Sequence, residues 1–120
     1  MKLRNPMEGF WTIEIGSSAG DYSGGVLFFK DGKIAGGDAG YYYLGTYKMI
    51  GDLAFIATLH LKPFIKEALS PFKTRRKELT IELEGSVKDP NHATAKGKAD
   101  GLPDLRIGMK LERREESAAA

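Results

Sequence analysis

The sequence predicts an all-β chain closed into an eight-stranded antiparallel up-and-down barrel. Three observations predict it. Apolar and polar residues alternate with period two over most of the 120 residues, as half-buried strands require. Clusters of turn residues separate the alternating runs. Two apolar runs, Val26-Leu27-Phe28-Phe29 and Ile34-Ala35, flank Asp31-Gly32, and both turn residues tolerate the positive φ of a two-residue hairpin. Short links favour a meander, and closing a meander removes its exposed edges.

The expected strands span residues 8–15, 23–31, 33–37, 41–49, 53–61, 79–88, 92–100 and 105–113. The first opens on Gly9-Phe10-Trp11 and reaches Ile15. The second and third are the arms of the Asp31-Gly32 hairpin. Glycines 24, 25, 36 and 37 fall where strands bend or admit another backbone. The fourth carries Tyr41, Tyr42 and Tyr43. Consecutive strand residues cannot all face one core, so at least one points outward, together with Ile50 or Ile56. In the fifth, Leu53, Phe55, Ala57, Leu59 and Leu61 share the apolar face. Residues 63–72 break the alternation: Ile65, Ala68, Leu69 and Phe72 lie at helical spacing, with Pro63 suited to a first turn. A short helix near 63–69 is expected to plug one barrel end.

The last three strands alternate most cleanly. Leu79, Ile81, Leu83, Gly85 and Val87 oppose Thr80, Glu82, Glu84, Ser86 and Lys88. Ala93, Ala95, Gly97 and Ala99 oppose Thr94, Lys96, Lys98 and Asp100. Leu105, Ile107, Met109 and Leu111 oppose Arg106, Gly108, Lys110 and Glu112. Asp89-Pro90-Asn91 and Asp100 to Asp104 are the turns between them. The inward face of strand seven has almost no bulk. Either large side chains from across the barrel fill the space, or a small apolar ligand does. A cavity would be lined by Trp11, Phe28, Ala95 and Gly97.

Length fits one barrel domain over residues 1–112, with a flexible tail at 113–120. Cysteine is absent, which excludes disulfides, thiolate metal sites and thiol catalysis. The net charge of +2 disfavours nucleic acid as the main partner. No apolar run reads as a secretory signal or a membrane span.

Residues able to carry chemistry are few. His60 and His92 lack a second ligand at metal spacing, and no base accompanies a Ser or Thr nucleophile. No catalytic, metal or cofactor site is expected. Glu82 and Glu84 face Lys96 and Lys98 across a turn, and cross-strand ion pairs on a wet face account for all four. Asp38 reads as a turn carboxylate accepting backbone N–H groups. Lys73-Thr74-Arg75-Arg76-Lys77 is the one basic run. The paired glycines are not phosphate loops, because no Lys-Ser/Thr follows at a helix start.

Gly9-Phe10-Trp11 is similar to the Gly-x-Trp opening of lipocalins. A longer set resembles the GrlR family, bacterial negative regulators of type III secretion. It comprises Gly9-Phe10-Trp11, Gly24-Gly25-Val26-Leu27, Lys30-Asp31-Gly32-Lys33-Ile34, Gly36-Gly37-Asp38, Tyr43-Leu44-Gly45 and Leu79-Thr80-Ile81. The resemblance covers about residues 8–111. It implies a lipocalin-like barrel, cytoplasmic and dimeric, that silences a transcriptional activator by contact. In the family's founding member an acidic Glu-Asp-Glu-Asp loop carries the contact. The matching residues here are Met49-Ile50-Gly51-Asp52, so only Asp52 keeps its charge. The candidates for partner contact are therefore Tyr42, Asp52, Arg75, Arg76 and Lys77. The first reading is a non-enzymatic barrel acting by protein contact, and the second is a barrel that binds a small apolar ligand.

Overall fold

The computed structural model describes residues 5–18, 20, 22–65 and 78–116. Eight strands close into one antiparallel barrel in sequence order. They are β1 (Gly9–Ser17), β2 (Tyr22–Lys30), β3 (Lys33–Gly37), β4 (Tyr41–Ile50), β5 (Ala54–Pro63), β6 (Leu79–Asp89), β7 (His92–Ala99) and β8 (Leu102–Glu115). Asp31 and Gly32 have φ of 51° and 79°, the pair of positive values that a type I′ hairpin needs. β1 pairs with both β2 and β8, which completes the ring.

The register explains the bulk-free strand. Phe55, Gly85, Ala95, Met109 and Ile15 are successive cross-strand partners and form one layer. The Phe55 ring occupies the space that a Cβ on Gly85 would need. Large thus meets small within a layer. Phe29 is the hub of the aromatic packing, with ring centroids 6.3 Å from Trp11, 5.1 Å from Tyr47 and 6.1 Å from Phe55.

One end is closed by the segment ahead of β1. Met7 is fully buried. Its amide donates to Asn5 Oδ1 at 2.9 Å, and its carbonyl accepts from Trp11 Nε1 at 2.9 Å. Asn5 Nδ2 donates to the Tyr47 hydroxyl at 3.0 Å. Arg113 locks this strap. Its guanidinium lies 4.6 Å from the Trp11 ring centroid and donates to the carbonyls of Pro6 and Glu8, while Nε donates to Pro90 O at 2.8 Å.

Several expectations are corrected. The strand β8 continues to Glu115, so the boundary expected at residue 112 falls inside a strand. Arg113, placed in a flexible tail, is instead one of the best-held side chains. Residues 117–120 lie outside the described residues. Pro63 ends β5 rather than starting a helix, and no helix occurs among the described residues. The rest of the expected helix, 66–69, lies outside them. Leu53 is 63% exposed, because it sits in the β4–β5 turn, one residue before the alternation of β5 begins.

Two stability measurements check this packing. Leu83 is buried and Glu84, its neighbour, is exposed. Leu83→Ala should cost about 2–5 kcal/mol through lost burial and the cavity left behind. Glu84→Ala should cost about 1 kcal/mol or less. The opposite order in urea melts would contradict the register of β6. Arg113→Lys keeps the charge but loses the planar fork that reaches three carbonyls and stacks on Trp11. It should cost on the order of 2 kcal/mol. A loss within about 0.5 kcal/mol, the range of ordinary surface changes, would show that the strap does not depend on that fork.

Candidate functional site

Because each strand alternates, half of every strand faces solvent, and the barrel exterior holds the candidate residues. Its two halves differ in chemistry. On β1–β4, Phe10, Phe28, Ala35 and Leu44 are cross-strand partners in one outward row. Thr12, Val26, Gly37 and Tyr42 form the next row. Phe10 and Phe28 pack as a tilted pair, with ring centroids 4.7 Å apart and planes at 52°. Tyr42 and Leu44 are 41% and 46% exposed. Together they make an apolar sheet face.

The outward half of β5–β8 is charged. A groove of about 680 Å³ runs past Ile56, Glu82, Glu84, Lys96, Lys98 and Arg106. A second, of about 640 Å³, continues it past Ile50, Ala54, Ser86, Lys88 and Thr94. They share Ile56, Glu84 and Lys96, which are one cross-strand row, so the two grooves lie side by side along that row and together make a grooved surface, the trough of β5–β8. The expected register is present: Glu82 lies opposite Lys98, and Glu84 opposite Lys96. The expected ion pairs are not closed. Among the described residues no Lys–Glu contact within ion-pair range joins these rows. Glu82 instead accepts a hydrogen bond from Thr58 Oγ1 at 2.7 Å, which turns it toward β5.

Asp38 has the turn role read from the sequence. Its Oδ1 accepts from the amides of Gly40 and Tyr41 at 2.9 and 2.8 Å, and its Oδ2 from the Tyr43 hydroxyl at 2.5 Å. Gly36-Gly37-Asp38 is thereby explained by the β3–β4 turn. The histidines are exposed and locally paired. His60 Nδ1 is 3.1 Å from Thr80 Oγ1, and His92 Nδ1 is 2.8 Å from Asp89 Oδ1. The His92 and Asn91 bonds hold the Asp89 carboxyl below its usual range. No metal-binding group of side chains occurs among the described residues.

The proposed cavity lining does not converge. Trp11 and Ala95 face the interior and are buried. Phe28 points outward between inward-facing Leu27 and Phe29, so it belongs to the exterior face; the four-residue apolar run hid its side. A Cβ on Gly97 would collide with the Glu82 carbonyl, so Gly97 serves the close approach of β6 and β7. Among the partner-contact candidates, Tyr42 is exposed on β4, and Asp52 is exposed in the β4–β5 turn beside Leu53. Arg75, Arg76 and Lys77 lie outside the described residues. The split of the exterior was not anticipated; pairing the outward residues in register would have shown it.

No family model and no curated protein matches the chain. Among solved structures, it is similar to a redesigned β-barrel, with 11% identity, a TM-score of 0.72, and coverage of 92% of this chain and 93% of that one. That likeness shows the fold: a closed eight-stranded antiparallel barrel.

The buried tyrosines give a pH test. Burial is the first cause that raises Tyr41, Tyr43 and Tyr47 above the ordinary phenol value, and the Asp38 carboxylate adds to it for Tyr41 and Tyr43. Raised folded values favour the neutral, folded form. Their contribution is full below about pH 10 and is lost as the pH rises further. Phenolate absorbance from these three should therefore appear together with unfolding in an alkaline titration. Ionisation of all three at the ordinary phenol value in a still-folded barrel would contradict this.

Proposed function

We propose that the protein is a non-enzymatic barrel that acts by protein contact, with the apolar face of β1–β4 as its homodimer surface. One observation carries the reading: two adjacent outward rows on four strands are almost free of charge, while the other half of the barrel is charged. An apolar face of this kind is satisfied by a like face, and a two-fold axis lets one patch meet its own copy. The resemblance to GrlR regulators supports the biological setting, a cytoplasmic negative regulator of type III secretion genes that restrains a transcriptional activator. The β4–β5 turn argues that the activator contact of that family is not reproduced here. Ile50 and Leu53 are exposed on either side of Asp52, and a single carboxylate offers little to a basic partner.

Sedimentation tests the surface. The protein should be a dimer at micromolar concentration, and Leu44→Glu should give a folded monomer, since it would place two charges in a dry interface. A monomeric wild-type protein, or a dimer unaffected by Leu44→Glu, would remove the proposal. A small apolar molecule retained in native mass spectrometry would favour the ligand-binding alternative over it.

A further inference from the structure

We propose that the trough across β5–β8 is a second docking surface, and that it takes an acidic amphipathic segment of a partner protein. The inference rests on the protein-contact reading and concerns the opposite half of the barrel from the dimer face.

The shape comes first. The outside of a barrel is convex, yet here two grooves adjoin along the row Ile56, Glu84 and Lys96. Gly108, the β8 partner of Lys96, puts no side chain at the end of that row, where a Cβ would meet nothing within 4 Å. The charge comes second. Lys88, Lys96, Lys98 and Arg106 line the trough against two carboxylates, Glu82 and Glu84. Glu82 is already engaged by Thr58. The surplus is cationic, and three of the four cations, Lys96, Lys98 and Arg106, lie on β7 and β8. The apolar content comes third and lies at the other end. Ile50 and Ile56 are 50% and 48% exposed, beside the β4–β5 turn. An occupant that satisfies both ends has apolar side chains over Ile50 and Ile56 and carboxylates over Lys96, Lys98 and Arg106. Arg106 offers a fork to a carboxylate, and the lysines offer point charges.

Nucleic acid fits this surface less well. The two glutamates repel phosphates, and among the described residues no exposed aromatic lines the trough to stack a base. The buried ring of Phe55 faces the core.

The test uses short labelled synthetic peptides and the full chain. The probe alternates Leu and Glu; the controls are an alternating Leu-Lys peptide and polyglutamate of equal length. Fluorescence anisotropy at low salt should show binding of the Leu-Glu peptide, with weaker binding as salt rises. Amide shifts should map to β6, β7 and β8. A Lys96→Ala, Arg106→Ala double variant should bind roughly tenfold more weakly. Ile56→Ser should also weaken binding. Lys30→Ala with Lys33→Ala, in the distant β2–β3 hairpin, should change nothing. Circular dichroism of each variant reports whether it is folded. Absence of binding, equal binding of either control peptide, or shifts confined to β1–β4 would overturn the proposal. A dimer that ignores the probe refutes this site alone. A monomer that binds it refutes the dimer face alone.

Discussion

The closure of β1 on β8 is the constraint on which the rest depends. Without it, two long strands would present unpaired N–H and C=O groups to solvent and to other chains. The junction is secured by one cation. Arg113 pairs in register with Trp11, lies over its ring and donates to carbonyls of the strap and of the β6–β7 turn. A guanidinium is never neutral, so burying part of it is tolerable only because carbonyl acceptors meet its donors. The same contacts hold the strap over the barrel end and keep Met7 in the core. One side chain therefore joins ring closure, end closure and core filling.

That arrangement shapes the interior, and the interior explains what is left for the exterior. Phe55 lies over Gly85, and Ala95 follows in the same layer. The bulk-free stripe of β7 is thus the counterpart of aromatic residues elsewhere in the ring. At the opposite end, Asp38 ties the β3–β4 turn to a buried tyrosine hydroxyl. The sequence features with the most specific appearance, the glycine pairs and the Asp38 motif, are occupied by the demands of bending and turning the chain. They carry fold, and residues free to carry recognition must be sought among the outward positions.

The number of strands, their order and the faces of the last three were legible from alternation alone, because period two reports directly on which side a residue faces. Alternation has no information about partners far apart in sequence. Arg113 and Glu8 are 105 positions apart, and nothing near Arg113 marks it as anything but a charged terminus. Phe28 failed for a different reason. In the run Val26-Leu27-Phe28-Phe29 every residue is apolar, so the pattern gives no side, and only the register with Phe10 and Ala35 assigns one. The ion pairs failed because register fixes Cα positions and not the ends of long side chains. The candidate surfaces were the least legible. Each outward residue reads simply as exposed, and the contrast between the apolar and charged halves emerges only once eight strands are placed around a ring.

That contrast bears on how far a resemblance in sequence can be carried into function. Most of the residues that carry the resemblance to GrlR regulators lie in strands, within the patterning that any barrel of this shape must build. A partner, in contrast, reads charge and apolar area on the outside. Where that resemblance implies four carboxylates, the β4–β5 turn has Met49, Ile50, Gly51 and Asp52, and the neighbouring trough has a cationic surplus. A partner of the proposed trough would carry a surface of the opposite sign to one that seeks an acidic loop, since like charges brought together are a strong element of discrimination. A barrel can keep its ring, its strap and its turn carboxylate while the sign of its recognition surface reverses. Interior and outward residues alternate along each strand, so one set can change while the other keeps its face.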